Sequence, residues 1–113
     1  MSVIIYHNPK CSKSRATLAL LRERGLEPQV IEYLKQPPSA GKFKAILGML
    51  GARPRALLRP REARESGLDD PAVSDDQIIA GMVANPITIE RPIVVVGDRA
   101  RLGRPPERVL EIV

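Results

Sequence analysis

Two short aliphatic runs constrain the fold of this 113-residue chain more than any other feature of its sequence. Val3-Ile4-Ile5-Tyr6 lies near the start, and Ile93-Val94-Val95-Val96 lies near the end. Each run is rich in β-branched residues, and its apolar residues are consecutive instead of alternating. Strands that are covered on both faces have this pattern, so the sequence predicts a sheet inside the protein.

The order of the flanking segments predicts an α/β fold. A helix over 12–24 and a second strand over 29–33 follow the first run. A strand-helix-strand unit implies a parallel pair with a right-handed crossover. After the second run, Gly97-Asp98 predicts a turn into a hairpin strand over 100–102. A final helix is expected to begin at 105–107, where proline suits the first turn.

The predicted first helix carries a wide apolar stripe and has a clear end. Gly25 is the expected residue after its C-terminus, because glycine readily adopts the left-handed conformation found there. The stripe consists of alanine and leucine side chains at Ala16, Leu18, Ala19, Leu20 and Leu21.

The middle of the chain, about 37–87, is predicted to be helical. Ser39 and Ser74 are the expected N-caps of two of its helices, and Ser74 has capping-box spacing. No linker separates this region from the rest. We therefore expect one domain over the whole chain, with a core of about 1–36 and 88–113 and an all-helical insertion of about 37–87.

The cysteine and histidine counts exclude several kinds of site. The single cysteine, Cys11, permits neither an intrachain disulfide nor a cysteine-based zinc site. The single histidine, His7, removes most histidine metal sites, so no metal site is expected. The lack of paired cysteines, of a leader and of long apolar runs predicts a cytoplasmic protein without a membrane partner.

The charge of the chain favours an anionic partner. The formal net charge is +5, and arginine is the commonest cation. Only 3% of the residues are aromatic, and a nucleic-acid binder of the stacking type would need aromatic side chains near its basic groups. The partner could be a nucleic acid, an acidic membrane or a small oxyanion, and the charge alone does not choose among them. The scarcity of aromatic residues argues against nucleic acid, so we expect no nucleic acid, and we expect a monomer.

Cys11 is expected where the first helix begins. The first turn of a helix has N–H groups without intrahelical partners, which favour a negative charge. Lys10, Lys13 and Arg15 are expected to add positive potential, and Ser12 or Ser14 could donate a hydrogen bond to the sulfur. A free cysteine is only about 3% ionised at pH 7, so a lowered pKa would create a nucleophile. The alternative is a buried cysteine that packs as a small apolar residue.

The spacing from Cys11 to Ser14 is that of a redox dithiol whose second cysteine is replaced by serine. If Cys11 performs redox chemistry, a thiol from another molecule must therefore resolve its adduct. His7 has two open interpretations: it tunes the cysteine, or it only terminates the strand.

Several motifs occur in the order of a known family. They are His-Asn-Pro-x-Cys-x-x-Ser-Arg at 7–15, and the segments 55–59, 85–87, 90–95 and 104–107. Together they resemble the glutaredoxin-coupled arsenate reductases, in a shorter branch because the sequence ends soon after its last predicted helix. The resemblance implies a thioredoxin-like α/β fold, with a mixed sheet of about four strands (β-α-β … β-β-α) and an inserted helical region. It also implies a cis peptide bond between Arg91 and Pro92.

The resemblance implies an oxidoreductase that reduces arsenate to arsenite. Cys11 would be the catalytic nucleophile, and His7 and Ser14 would tune its thiolate. The oxyanion would be held by three arginines at Arg59, Arg91 and Arg104. The thiolate would attack arsenic(V), glutathione would add to the same arsenic, and glutaredoxin would remove the mixed thiol. No cofactor would be bound, since glutathione is a co-substrate and glutaredoxin is a protein partner.

Two other functions remain open from the sequence. An Spx-type regulator shares the fold, binds RNA polymerase and senses redox state, but such proteins often carry Cys-x-x-Cys, whereas this chain has Ser14 in the second position. A generic glutathione-dependent thiol reductase would need Cys11 and a glutathione groove, but it would not need all three arginines.

Overall fold

Both aliphatic runs form strands of one sheet in the computed structural model of the protein, which describes residues 2–113. β1 (Val3–His7) lies antiparallel to β3 (Ile93–Val96), with Ile5 opposite Val94. Every residue of β3 is buried, and so is most of β1. The prediction of two strands covered on both faces is confirmed.

The sheet formed by the described residues has four strands in the order β2-β1-β3-β4. β2 (Gln29–Glu32) pairs in parallel with β1, and α1 (Ser12–Glu23) connects the two. β4 (Arg99–Leu102) forms the predicted antiparallel hairpin with β3. The mixed sheet therefore has the predicted β-α-β and β-β connections.

The buried face of α1 is narrower and more polar than the sequence predicts. Ala16 and Ala19 are exposed, so the wide apolar stripe was wrong. The residues that α1 buries fully are Ser14, Thr17 and Leu21. Leu21 joins the apolar cluster around the sheet, whereas the two polar side chains lie nearer the start of the helix, where hydrogen bonds can satisfy them.

The last helix has a different type from the one predicted. It is a 3₁₀ helix over Pro106–Glu111, with hydrogen bonds from the N–H of Arg108 to the carbonyl of Pro105 and from Ile112 to Val109. Helical pieces this short commonly take i→i+3 bonds. Val109 nevertheless belongs to the same apolar cluster as Ile5 and Leu21.

The chain divides into two compact units, one that ends at Gln36 and resumes at Arg91, and one that spans Pro37–Glu90. The first contains the sheet, α1 and the final 3₁₀ helix. The second is helical, and its elements are α2 (Ala40–Leu50), α3 (Pro60–Ser66), α4 (Asp75–Ala84) and two 3₁₀ helices at Pro54–Leu57 and Pro86–Thr88.

The helices of the second unit begin where the sequence predicts. Ser39 caps α2 by accepting a hydrogen bond from the N–H of Lys42. Ser74 and Gln77 form a complete capping box at the start of α4. Buried side chains such as Phe43 form the interior of this unit. Among residues 2–113, no helix is long and apolar enough to cross a membrane.

Two X–Pro bonds in the first unit are cis. The Arg91–Pro92 bond agrees with the resemblance, and the Arg104–Pro105 bond was not anticipated. The preceding residue, Gly103, donates its N–H to the Pro92 carbonyl at 2.9 Å. A Cβ atom at Gly103 would lie 2.6 Å from Thr17 Oγ1 and 2.8 Å from Pro92 Cγ. Glycine is therefore required where β4 leaves the sheet.

We predict that Gly103→Ala destabilises the protein by about 1–3 kcal/mol, because the added methyl group overpacks the contact with Thr17 and Pro92. Urea denaturation measures the change. Gly48→Ala is the matched control, since a Cβ there meets nothing within 4 Å and alanine favours the helical conformation of α2. Equal stability of the two variants would contradict the close packing described for Gly103.

Candidate active site

Cys11 occupies the N-cap of α1, as predicted, and its thiol is half-buried and outside any disulfide. A tight turn at 8–11 leads from β1 into α1 and places Cys11 at this position. The N–H of Cys11 donates to the Asn8 carbonyl at 3.0 Å, and the N–H of Lys10 donates to Asn8 Oδ1 at 3.0 Å. The extended backbone of Cys11 places its side chain at the first turn of α1.

Asn8 is a structural residue of this site that the sequence reasoning missed. It is buried, and its N–H donates to Ser14 Oγ at 3.0 Å, which ties the turn to the first helical residues. The signal was present in the sequence. Asn8-Pro9-Lys10-Cys11 has asparagine at the first and proline at the second position of a β-turn, where both are favoured.

Ser14 links His7 to the same turn. The Ser14 hydroxyl is fully buried and lies 2.6 Å from Nδ1 of His7, which ends β1. Burial lowers the pKa of His7, with Arg22 and Arg15 acting in the same direction, although Glu32 opposes the change. The imidazole is therefore neutral at pH 7. His7 ends β1 and is joined through Ser14 to the turn at 8–11 that precedes α1, the cysteine turn. A tuning role of His7 toward Cys11 stays a prediction.

Opposing effects act on the pKa of Cys11, and the net result is a lowered value. Burial raises the pKa, but the backbone N–H of Ser14, the charge of Arg91 and the N–H of Lys13 together outweigh it. Neither N–H closes a full capping hydrogen bond, so the two act mainly as dipoles aimed at the sulfur. Ser14 acts on the sulfur through its backbone, since its hydroxyl serves His7 and Asn8.

The source of positive potential differs from the one predicted from the sequence. The side chains of Lys10, Lys13 and Arg15 do not contribute to the lowered pKa of Cys11. All three are exposed, and Arg15 Nη1 donates to the Pro9 carbonyl at 2.9 Å. Solvent screens the charges of exposed side chains, whereas the electrostatic effect of a buried guanidinium on the thiol is screened much less.

Arg91 supplies that buried guanidinium. Its side chain is 6% exposed, and its Nε and Nη1 atoms have no hydrogen-bond partner among residues 2–113. Leaving buried charged donors unpaired costs several kcal/mol in general. A bound anion beside Cys11 would satisfy both donors, so the arrangement is suited to an oxyanion that meets the thiolate.

Arg104 lies next to Arg91 within the first unit. Its Nη1 donates to the Arg91 carbonyl at 3.2 Å, so the side chain is directed along the loop that carries Arg91. Arg59 belongs to the second unit, where it is the N-cap of α3 and pairs with Glu62, with Nη1 3.1 Å from Oε2. Both partners of that ion pair are largely buried, at 26% and 19% exposure.

Comparison with known proteins identifies the family of the chain. The family model described as the ArsC family matches residues 6–112. The chain belongs to the ArsC family. A protein named arsenate reductase from Haemophilus influenzae is 44% identical over 99% of both chains. Another of that name, from Rhizobium meliloti, is 46% identical and matches 99% of this chain and 81% of its own.

Two further proteins are more similar to this chain in sequence. The uncharacterized protein YfgD of Escherichia coli is 51% identical over 98% of this chain and 96% of its own. The structure titled arsenate reductase from Vibrio cholerae superposes with a TM-score of 0.95, at 52% identity and with 100% and 98% coverage. The predicted family and the thioredoxin-like fold are both confirmed. Within residues 2–113 of this ArsC-family protein, His, Cys, Asp and Glu side chains form no group suited to a metal ion.

We predict that Cys11 of this ArsC-family protein reacts with iodoacetamide with a pH midpoint below that of free cysteine, about 8.5. A lowered pKa keeps the thiolate ionised to lower pH, so alkylation slows only as the pH falls through that lower value. Arg91→Gln should move the midpoint upward, because it removes the nearby positive charge. The measurement is the alkylation rate across pH 5–10, followed by mass spectrometry.

Arg99→Gln is the control for this experiment, since Arg99 is an exposed arginine at the start of β4 and carries the same charge. Its midpoint should match that of the unchanged protein. The chain unfolded in urea should titrate as an ordinary cysteine. If the folded protein behaved like the unfolded one, the proposed activation of the thiol would be wrong.

We predict that Ser14→Ala destabilises the protein by about 1–3 kcal/mol, since the Asn8 N–H and His7 Nδ1 lose their buried partner. It should also slow alkylation of Cys11 at pH 7, because the turn that orients the thiol is loosened. Ser12→Ala is the matched control at an exposed position of the same helix. Similar stabilities for the two variants would rule out a supporting role for Ser14.

Proposed function

We propose that this protein reduces arsenate to arsenite, with Cys11 as the nucleophile and two thiols supplied by other molecules. The observation that carries the proposal is the buried Arg91 guanidinium beside a thiol of lowered pKa; its Nε and Nη1 have no hydrogen-bond partner in the part of the chain that the structure describes. The similarity to proteins named arsenate reductase supports arsenate as the oxyanion.

In the first step, the Cys11 thiolate attacks arsenic(V). A sulfur–arsenic bond forms, one arsenic–oxygen bond breaks, and the oxygen leaves as hydroxide, which takes a proton to become water. Thiolate and arsenate repel each other unless cations neutralise the oxygens. The guanidinium of Arg91 does this, since it stays charged and presents several donors in a plane.

The next steps use glutathione and glutaredoxin. Glutathione displaces a second oxygen, so that arsenic(V) carries both sulfurs. A glutaredoxin thiolate then attacks the glutathione sulfur, whose bond to arsenic breaks and leaves its electron pair on arsenic. Arsenic(III) is thereby formed, and the new disulfide between glutaredoxin and glutathione accounts for the two electrons. Water releases arsenite from Cys11. This chemistry requires a compartment with reduced thiols, which is why we assign the protein to the cytoplasm.

Two further arginines are part of the proposal. Arg104, tied to the Arg91 carbonyl, is assigned to the charge that develops on the arsenate oxygens. Arg59 is assigned to the same anion. Its ion pair with Glu62 uses Nη1, and a guanidinium has five N–H donors, so one such bond leaves others for a ligand.

We predict that Arg91→Gln and Arg104→Gln each lower kcat/KM for arsenate by roughly 10²–10³-fold, as expected when a donor to a developing oxyanion is lost. The assay follows NADPH consumption with glutathione, glutaredoxin and glutathione reductase, and compares arsenate with phosphate and sulfate. Arg99→Gln, the exposed control, should retain full activity. Urea denaturation of each variant separates loss of catalysis from loss of fold.

The same variants distinguish the other functions. A generic thiol reductase would act on glutathionylated substrates and be unaffected by Arg91→Gln or Arg104→Gln. A regulator would be retained by RNA polymerase in a binding assay and would not turn over any oxyanion. If folded protein with reduced Cys11 showed no arsenate turnover, the enzymatic proposal would fail.

A further inference from the structure

We infer that the cleft beside the cysteine turn binds the peptide part of the thiol co-substrate, a small thiol with two carboxylates and one ammonium group. This inference rests on the proposed function, since it names the site for the second reactant. The cleft has a volume of about 220 Å³ and lies within the first unit. One wall is the turn at 7–10, and the other is formed by 32–35, at and beyond the end of β2.

The position of the cleft suits a thiol that must reach Cys11. Lys10 lines the cleft and directly precedes Cys11, and consecutive Cα atoms are about 3.8 Å apart. The wall at 7–10 is fixed by buried hydrogen bonds from Asn8 and His7 to Ser14. The cleft therefore borders the turn that carries Cys11.

Charge complementarity identifies the class of ligand. The charged groups of the cleft are two lysines, Lys10 and Lys35, and one carboxylate, Glu32. Glutathione at pH 7 has two carboxylates and one ammonium group, with its thiol between them. A simple oxyanion would be attracted by the lysines but repelled by Glu32. A zwitterionic peptide matches all three groups.

The charged side chains of the cleft are available to a ligand, because the ion pair between Lys35 and Glu32 is weak. Lys35 Nζ lies 3.7 Å from Glu32 Oε1, and the two side chains are 77% and 42% exposed. Ion pairs this exposed contribute little and break readily. Lys10 forms no ion pair with any of residues 2–113. At the rim, Leu34 is 39% exposed and offers an apolar contact for the methylene groups of the peptide.

Sheet order separates this cleft from the oxyanion donors. Glu32 ends β2, and Arg91 precedes β3, and these strands flank β1 on opposite sides. Cys11 follows the end of β1 by a short turn. The thiol would thus approach from the β2 side, while the oxyanion is held from the β3 side.

The direct test measures binding of S-methylglutathione, which cannot react, by NMR titration of the folded protein. We expect the double variant Lys10→Gln, Lys35→Gln to raise Kd about tenfold, in line with the loss of two charge-assisted contacts. The control Lys42→Gln, Lys44→Gln removes the same charge from exposed positions of α2 and should leave Kd unchanged. Equal Kd values for the two double variants would overturn the inference.

Turnover experiments separate this inference from the proposed function. With saturating glutaredoxin, the Lys10, Lys35 variant should raise KM for glutathione about tenfold and leave KM for arsenate within twofold. Arsenate reduction with an unchanged glutathione KM would refute the cleft but not the activity. Lysine-dependent binding of S-methylglutathione without arsenate turnover would support the cleft and refute the activity.

Discussion

The site depends on one interaction, the electrostatic attraction between the buried Arg91 guanidinium and the Cys11 thiolate at the N-terminus of α1. Arg91 is buried, and two of its donor atoms have no partner among residues 2–113. Such a group would be expelled to solvent if its backbone were free to move. Arg91 stays buried because β3, which is buried on both faces, begins two residues later and fixes the backbone. The hydrogen bond from the Gly103 N–H to the Pro92 carbonyl holds the same segment. The stability of the sheet therefore sustains a locally unfavourable arrangement, which the proposed oxyanion would relieve by accepting from both donors.

The cysteine turn shows how structural and chemical roles coincide. Ser14 occupies the position of a second redox cysteine, yet its hydroxyl joins His7 and Asn8 and its N–H faces the sulfur. Because serine has a hydroxyl and no thiol, it cannot resolve a redox adduct at Cys11. The hydrogen bonds of Ser14 hold the cysteine turn in place, so the nucleophile is already oriented and less entropy is lost when the transition state forms. If Cys11 performs redox chemistry, as proposed, the thiol that resolves its adduct must come from another molecule, while Ser14 serves to hold the turn.

Local features of the fold were predictable from the sequence, and long-range ones were not. The strands, the N-caps at Ser39 and Ser74 and the position of Cys11 follow from residue patterns within a few positions. The origin of the lowered Cys11 pKa does not follow from such local patterns. The cations nearest to Cys11 in sequence are exposed to solvent, whereas the effective one, Arg91, lies far along the chain, just before β3. Only the family resemblance indicated Arg91. The apolar stripe of α1 was wrong because Ala16 and Ala19 lie on the exposed face of the helix. Its buried face consists of Ser14, Thr17 and Leu21.

A protein that must bind two anionic reactants faces competition between them. Glutathione carboxylates would occupy an arginine site meant for arsenate if all cations were gathered in one place, since guanidinium binds both groups with the same planar geometry. Separate sites for the arginine and the lysines would prevent glutathione from competing with arsenate. A deeply buried guanidinium excludes a bulky peptide and admits a compact oxyanion, whereas exposed lysines paired with a carboxylate favour a zwitterion over a simple anion. If glutathione binds beside Glu32 and Lys35 and arsenate binds at Arg91, as proposed, the co-substrate would lie beside the cysteine turn without displacing the oxyanion.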